Sequence, residues 1–392
     1  MRVLTVMPGL TPDAGAERSL VALAPLLAAA GVELQLAVLT ERQDLVPELE
    51  AMGIPVHDLS AARGLVQRVR SLRKLLKSIE PDLVHATLFE ASQVAQVASL
   101  GSKVPVLITW ANTDYTPESS IGVRFGKAKY GFLRCWEIVL SRLSRPRYHA
   151  VTQGVADHNG RRLKVPGDRI KVGERGRDAA ALRAAAGDGT SIRKELGLTR
   201  DARLVVAVGR QDHQKAHGAL VATFDRYASS HPDDRLAIAG RQGSGTDALS
   251  AAVSAANNPH SILVLGHRND VPSLLGAADA VVCSSLKEGA AGALIEAMAL
   301  GTPVISVPLD GLRDVLIDGT NSRVAELGDI PAVLEELFND PEQVDRLTSA
   351  ARSDADARFS VGRAAQRLAD IYGWAAERPN VRGVTNQISA SR

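Results

Sequence analysis

The chain has 392 residues, of which 45% are hydrophobic and 23% charged, and a formal net charge of +2. That length exceeds one ordinary core and suits two domains. The balance is that of a soluble globular protein, and few aromatics with no reader motif argue against a nucleic-acid partner. Cys135 and Cys283 lie far apart without metal-ligand spacing, so a disulfide-free cytoplasmic protein is expected. Residues 1–8 read as a strand and turn rather than a signal peptide, and no apolar window reaches membrane-spanning length.

In chain order, residues 3–7, 35–39, 83–85, 106–109 and 148–152 are short apolar runs that predict buried strands. Residues 16–30, 63–79, 90–100, 124–143 and 153–162 carry helical periodicity between them. Strands alternating with helices of this length predict a parallel, doubly wound sheet. Residues 181–190, rich in Ala and Gly, read as a linker. A second alternating series follows, with strands at 204–208, 236–239, 262–265, 280–283 and 304–307. The resulting α/β architecture is two Rossmann-like domains facing across a cleft, with ligands at the carboxyl ends of the strands. The boundaries are a first domain over 1–180, a second over 190–359, a helix over 360–377 packing back on the first domain, and a mobile tail over 378–392.

Charge is unevenly spread: 23 Lys/Arg against 17 Asp/Glu up to residue 175, and 23 against 27 beyond it. Residues 63–77 carry Arg63, Arg68, Arg70, Arg73, Lys74 and Lys77 with no acid. Residues 124–147 carry Arg124, Lys127, Lys129, Arg134, Arg142, Arg145 and Arg147 against the single Glu137. Such faces are either simply solvated or meet an anionic membrane surface or acidic acceptor.

The most informative run holds Glu288 and Glu296, eight residues apart, around Gly289, Ala290, Ala291, Gly292, Ala293 and Leu294. It reads as a loop entering a helix, with one carboxylate at the entrance and the other two turns along. Small residues let a ligand approach the helix N-terminus, which favours an anion such as a diphosphate. Glu288 then faces the ligand head, and Glu296 suits the adjacent hydroxyls of a ribose. The alternative is a surface helix with two solvated acids. Upstream, Arg210 follows a buried strand and Lys215 comes five residues later, so both cations can point into the cleft and neutralise a diphosphate without a metal. His213 and His217 have helix-compatible spacing for a metal, but no third ligand is evident and Lys215 opposes a cation.

With these anchors the chain resembles the GT-B-fold retaining glycosyltransferases of family 4. The resemblance rests on Gly15-Ala16-Glu17-Arg18, Pro81-Asp82-Leu83-Val84-His85-Ala86, Val208-Gly209-Arg210 with Lys215, Ala239-Gly240, Gly266-His267-Arg268-Asn269-Asp270, the two glutamates, and Gly301-Thr302-Pro303-Val304. It implies that Arg210 and Lys215 bind the donor diphosphate and that Glu288 and Glu296 contact the donor sugar and the ribose. It makes Arg210, Lys215 and Glu288 the catalytic set. The donor site would also take in Gly15, Gly209, the main chain of Gly266, His267 and Arg268, and the run from Gly289 to Leu294. No metal and no cofactor beyond the nucleotide diphosphate sugar is required, with UDP or GDP as the nucleotide.

Three departures stand out. Ala111, in Thr109-Trp110-Ala111-Asn112-Thr113-Asp114, takes the place of a histidine that positions the donor sugar, leaving His85, Asn112 and Asp114 as candidate acceptor or sugar contacts. His85 is also readable as a structural histidine. Asp13-Ala14 replaces a double glycine, so Gly15 is either a turn or a ligand contact. Residues 172–178 replace a Pro-Asn-Gly turn, and Asp314 either caps a helix or touches substrate.

The expected activity is transfer of a sugar to an acceptor hydroxyl on a glycan, a lipid-linked sugar or a small aglycone, with peripheral contact at the inner face of a membrane through the basic first domain. The rivals are a nucleotide-sugar-binding pseudoenzyme or partner subunit, and an epimerase or pseudo-sugar coupling enzyme on the same fold.

Overall fold

The computed structural model describes residues 1–11, 15–114 and 120–377, and the side chains of 120–130 fall outside that description. The tail 378–392, Asp13-Ala14, and the side chains of Arg124, Lys127 and Lys129 therefore lie outside the described residues.

Among the described residues, the front sheet contains β1 (Arg2–Met7), β2 (Glu33–Val38), β3 (Val56–Asp58), β4 (Leu83–Thr87), β5 (Val106–Trp110), β6 (Arg147–Ala150) and β7 (Ile170–Val172). They pair in parallel in the order β3-β2-β1-β4-β5-β6-β7. Its helices are α1 (Gly15–Ala29), α2 (Val46–Ala51), α3 (Gly64–Ile79), α4 (Phe89–Ser99), α5 (Ser120–Ser144) and α6 (Gln153–Leu163). Then come α7 (Ala179–Ala186) and α8 (Thr190–Glu195).

The back sheet contains β8 (Leu204–Val208), β9 (Arg235–Ala239), β10 (Ile262–Gly266), β11 (Ala280–Cys283), β12 (Val304–Ser306) and β13 (Arg323–Val324), in the order β10-β9-β8-β11-β12-β13. With it run α9 (His217–Ala228), α10 (Thr246–Ala255), α11 (Val271–Ala277), α12 (Gly292–Leu300), α13 (Ile330–Asn339), α14 (Pro341–Arg358) and α15 (Val361–Ala376). The central strands are apolar and buried along their length, as helices on both faces require. Both strand orders reverse at the first strand of the sheet, which opens a crevice at the carboxyl ends.

The structure differs from the sequence expectation in particulars. β3, β7 and β13 are too short to leave a periodic signal. Residues 181–190 are not an open linker, because most of α7 and the start of α8 lie there. Alanine favours helix, Asp178 caps α7 by accepting from the Ala181 N–H at 2.9 Å, and Gly187 and Gly189 end it at φ 63° and 71°.

The last helix, α15, returns from the back domain and seats Ala364, Ala365, Leu368, Ile371, Tyr372 and Ala375 against Val3, Leu23, Leu27, Leu83 and Leu107. Buried polar groups join it to the sheet in one directed chain. Tyr372 donates to His85 Nδ1 at 2.9 Å, and His85 Nε2 donates to Thr109 Oγ1 at 2.7 Å. Thr109 donates to His149 Nδ1 at 2.9 Å, and His149 Nε2 donates to the Gly173 carbonyl at 2.7 Å. Burial pushes His85 down to about 3 and His149 to about 4, so both imidazoles are neutral. The Gly173 carbonyl only accepts, which places the His149 proton on Nε2 and with it the direction of the rest of the chain.

His85 thus faces the interior with both nitrogens engaged, and it is not an acceptor or sugar contact. Because these imidazole pKa values are depressed in the folded state, their contribution to stability is intact above the ordinary value of about 6.5 and is lost as pH falls towards 4 and 3. Chemical denaturation should show a loss of stability from pH 7 to pH 5. Tyr372→Phe, which leaves His85 Nδ1 unpaired, should cost about 1–3 kcal/mol at pH 7; an unchanged midpoint would refute the assigned chain.

Candidate active site

The cleft is built from loops after the strands. Gly209 leaves β8 with no side chain because Lys215 lies over it: a Cβ there would come 2.8 Å from Lys215 Cε. Gly240, after β9, sits against the same turn, where a Cβ would fall 1.9 Å from the Gly209 carbonyl oxygen. The turn at 213–215 is laced to the loop after β11. Ser284 Oγ donates to the Lys215 carbonyl at 2.8 Å, and Gln214 Nε2 to that of Lys287 at 2.8 Å.

This lacing brings Lys215 Nζ to Glu288 Oε1 at 2.6 Å, with Ser285 Oγ donating to the same oxygen at 2.7 Å. Burial works against the charge on Lys215, but the Glu288 carboxylate outweighs it and holds the ammonium above the ordinary lysine value. The pair faces a cavity of about 230 Å³, walled by Gly289, Ala290, Ala291, Gly292, Ala293 and Leu294 from the back domain and by Ala111, Asn112 and Arg175 from the front.

At Ala291 the backbone turns left-handed, with φ 38°, and α12 begins at Gly292. The first-turn N–H groups have no partner within the helix and carry its positive end to the cavity wall. Gly292 leaves room for Arg177, since a Cβ there would fall 2.1 Å from Nη2 and displace the guanidinium. Arg177 reaches over this turn and bonds Glu296 Oε1 through Nε at 2.7 Å.

A polar seam closes the two domains around the cavity. Gly289 lies under the Ala111 carbonyl, whose oxygen would be 2.0 Å from a Cβ at 289. Lys287 Nζ meets Asp114 Oδ1 at 3.1 Å. Asp314 caps α6 from the other domain, accepting from the N–H groups of Gly154 at 2.8 Å and Gln153 at 3.1 Å. Thr152 Oγ1 accepts from Val155 N–H and donates to the Gly311 carbonyl at 2.7 Å. His158 spans Asp310 at 3.3 Å and the Asp114 carbonyl at 3.2 Å.

The cavity thus gathers Lys215, Glu288, the run from Gly289 to Leu294, and Asn112. Arg210 does not line the cavity; it is exposed, two residues beyond Val208 of the cavity wall, with Nε 2.6 Å from Asp212 Oδ2. Gly15 lies against Arg175, with Nη1 3.7 Å from a Cβ built there. Glu296 is held by Arg177, and Asp114 by Lys287. His267 bonds Asn269 at 3.1 Å. Arg268 is committed to Glu195 and Asp270 at 2.6 Å each, so its side chain is not free for a ligand.

Sequence reasoning missed Arg175 and Arg177. The signal was present in residues 172–178, where two arginines stand in the altered turn. It also undervalued His217, a cavity-lining side chain with an unpartnered buried Nδ1. Burial and then Lys215 push His217 down to about 4, so it is neutral. Among the described residues, no three His, Cys, Asp or Glu side chains are grouped to hold a metal.

The seam is sensitive to a single methyl. Gly289→Ala should force the Ala111 contact apart, lower the melting temperature by roughly 5 °C and enlarge the radius of gyration in solution scattering. Unchanged scattering would show that the seam tolerates the methyl.

The chain matches a model of glycosyl transferases group 1 over residues 188–354 and one of a glycosyl transferase 4-like domain over residues 14–176. It is 26% identical to EpsD of Bacillus subtilis over 223 residues, 56% of either chain. It is 25% identical over 312 residues to the Escherichia coli UDP-Gal:alpha-D-GlcNAc-diphosphoundecaprenol alpha-1,3-galactosyltransferase, covering 77% of this chain and 78% of that one. The chain spans about half the length of EpsD, and 47% of YtcC from the same organism. Among solved structures, Anabaena HepE in complex with UDP and glucose has a TM-score of 0.79 at 20% identity, covering 95% of this chain and 100% of that one. That likeness concerns the fold. Taking the two models in the order of the two sheets, the chain belongs to the family 4 glycosyltransferases of GT-B fold.

Proposed function

We propose that this protein is a retaining glycosyltransferase that moves a sugar from a UDP-sugar to an acceptor hydroxyl without a metal. The observation that carries this reading is the Lys215–Glu288 pair, 2.6 Å apart in a cavity walled by the first turn of α12 on one side and the front domain on the other. UDP is favoured over GDP because the galactosyltransferase is named for UDP-Gal and HepE holds UDP and glucose. Residues 1–180 form the acceptor side and 190–359 the donor side, with 360–377 returning to the first.

In the reaction the bond between the sugar's anomeric carbon and the β-phosphate oxygen breaks, and its electron pair goes to the diphosphate. Arg210, Lys215 and the α12 N-terminus stabilise that charge. The acceptor oxygen bonds the same carbon on the face the diphosphate leaves, and its proton passes to the departing phosphate. No protein base is needed. Glu288 orients the sugar hydroxyls and Glu296 the ribose, while main-chain groups from Gly266 to Arg268 meet the base.

Ala111 favours a second reading, a donor-binding protein that does not transfer, because it lacks the side chain that positions the sugar. Binding of UDP without turnover of any acceptor selects that reading.

We also propose that the acceptor is met at an anionic membrane surface. No helix among the described residues is long and apolar enough to cross a membrane. On α5, Phe132, Trp136, Val139 and Leu143 are nevertheless exposed beside Arg134 and Arg142. Glu137, the acid of that stretch, is buried against Gln93 and Gln96 and does not offset the charge outside. On α3, Arg70, Arg73, Lys74 and Lys77 are exposed, and of these Arg73 also bonds a main-chain carbonyl, as does the less exposed Arg68.

Calorimetric titration in chelator with UDP, GDP, ADP and TDP should show selective binding of UDP, and Arg210→Ala should remove most turnover with the fold intact. Binding of none of the four overturns the reading, and so does full activity of the variant. Anionic vesicles should retain the protein at low salt, and charge reversal of Arg70, Lys74 and Lys77 together should release it. Equal retention of wild type and variant would discard the membrane contact.

A further inference from the structure

Four cations surround the donor cavity, and three already have a carboxylate. Asp212 holds Arg210 at 2.6 Å, Glu288 holds Lys215 at 2.6 Å, and Glu296 holds Arg177 at 2.7 Å. The fourth, Arg175, lines the cavity half-buried with no hydrogen-bond or ion-pair partner among the described residues. Burial, with Arg177 adding to it, pushes its guanidinium down to about 10, and the nearby Glu17 carboxylate offsets this only in part without a hydrogen bond to it among the described residues. A buried cation held only by a through-space carboxylate has donors left over for an anionic ligand.

The position of Arg175 indicates what that counter-ion is. It leaves β7 two residues before Arg177, whose guanidinium covers Gly292 at the first turn of α12. It shares the cavity wall with that turn, and its Nη1 stands beside Gly15, the first residue of α1. An anion in this cavity meets the unpaired N–H groups of α12 from one domain and a guanidinium from the other. Residues 172–178 depart from the family's turn, so this guanidinium is not part of the pattern by which the chain resembles its relatives.

We infer that Arg175 binds the donor diphosphate from the front domain, completing across the closed cleft the site that Arg210, Lys215 and α12 form on the back domain. This rests on the donor reading proposed above. Arg175 is then a substrate ligand whose charge acts only while the domains are closed. The competing recipient of that charge is an acidic group on the transferred sugar.

Calorimetry of wild type, Arg175→Gln and Arg175→Lys with UDP, UMP and uridine tests the assignment. Arg175→Gln should weaken UDP at least tenfold and leave uridine within twofold, while Arg175→Lys recovers part of the loss. The Gln variant should keep the wild-type circular dichroism spectrum, and its melting shift on adding UDP should shrink. If wild type binds UDP and Arg175→Gln binds it equally, this inference falls and the donor reading stands. If the loss appears only with a UDP-hexuronate, the charge serves the sugar and the inference is again overturned. If wild type binds none of the nucleotides, both fall together.

Discussion

The cavity exists because two backbones touch. Gly289 at the entrance to α12 lies directly under the Ala111 carbonyl at the end of β5, closer than any side chain would allow. The rest of the seam keeps that contact in register: Lys287 on Asp114, Asp314 on the first turn of α6, Thr152 on the Gly311 carbonyl. Each contact pairs a charge or dipole of one domain with a complementary group of the other, so closing the cleft satisfies polar groups that would otherwise need water. Among the described residues the cavity is therefore closed by main-chain contact between the domains.

Around that cavity the charges are arranged as exchangeable pairs. Lys215 is neutralised by Glu288, Arg210 by Asp212 and Arg177 by Glu296. On the donor reading proposed above, a diphosphate arriving at these three cations replaces carboxylates that are themselves suited to hydroxyl groups. A sugar diphosphate offers both kinds of group, phosphate for the cations and hydroxyls for the released acids. A simple anion such as phosphate offers only one, which biases the site towards the complete donor.

Much of this was legible in one dimension, and the reasons are local. Glu288, Lys215 and the run from Gly289 to Leu294 announce themselves because small residues at a helix entrance after an apolar strand have few structural alternatives. The paired sheets follow from apolar runs at regular spacing. What the sequence leaves open depends on distant partners. His85 reads either as a cleft contact or as a structural histidine, and its bond from Tyr372, 287 residues away, decides for the second. Arg175 and Arg177 look like a disrupted turn because nothing in the sequence shows that this segment passes over α12. The stretch 181–190, rich in Ala and Gly, reads as a linker, but its alanines and the Asp178 cap fold most of it into α7.

The same crossing segment has a mechanical consequence. The chain passes between the domains twice, outward near Arg177 and back near Phe359, and the two passages are joined where the Arg177 N–H donates to the Phe359 carbonyl at 2.6 Å. A body attached at two adjacent points can swing about the line through them, but it cannot slide or twist freely. Opening is thereby reduced to one angular coordinate, and Arg177, which lies on that line and also grips Glu296, moves least as the cleft gapes. The Glu296 end of the cleft thus lies at the pivot, and on the donor reading the sugar end, farther out, would sweep the larger arc.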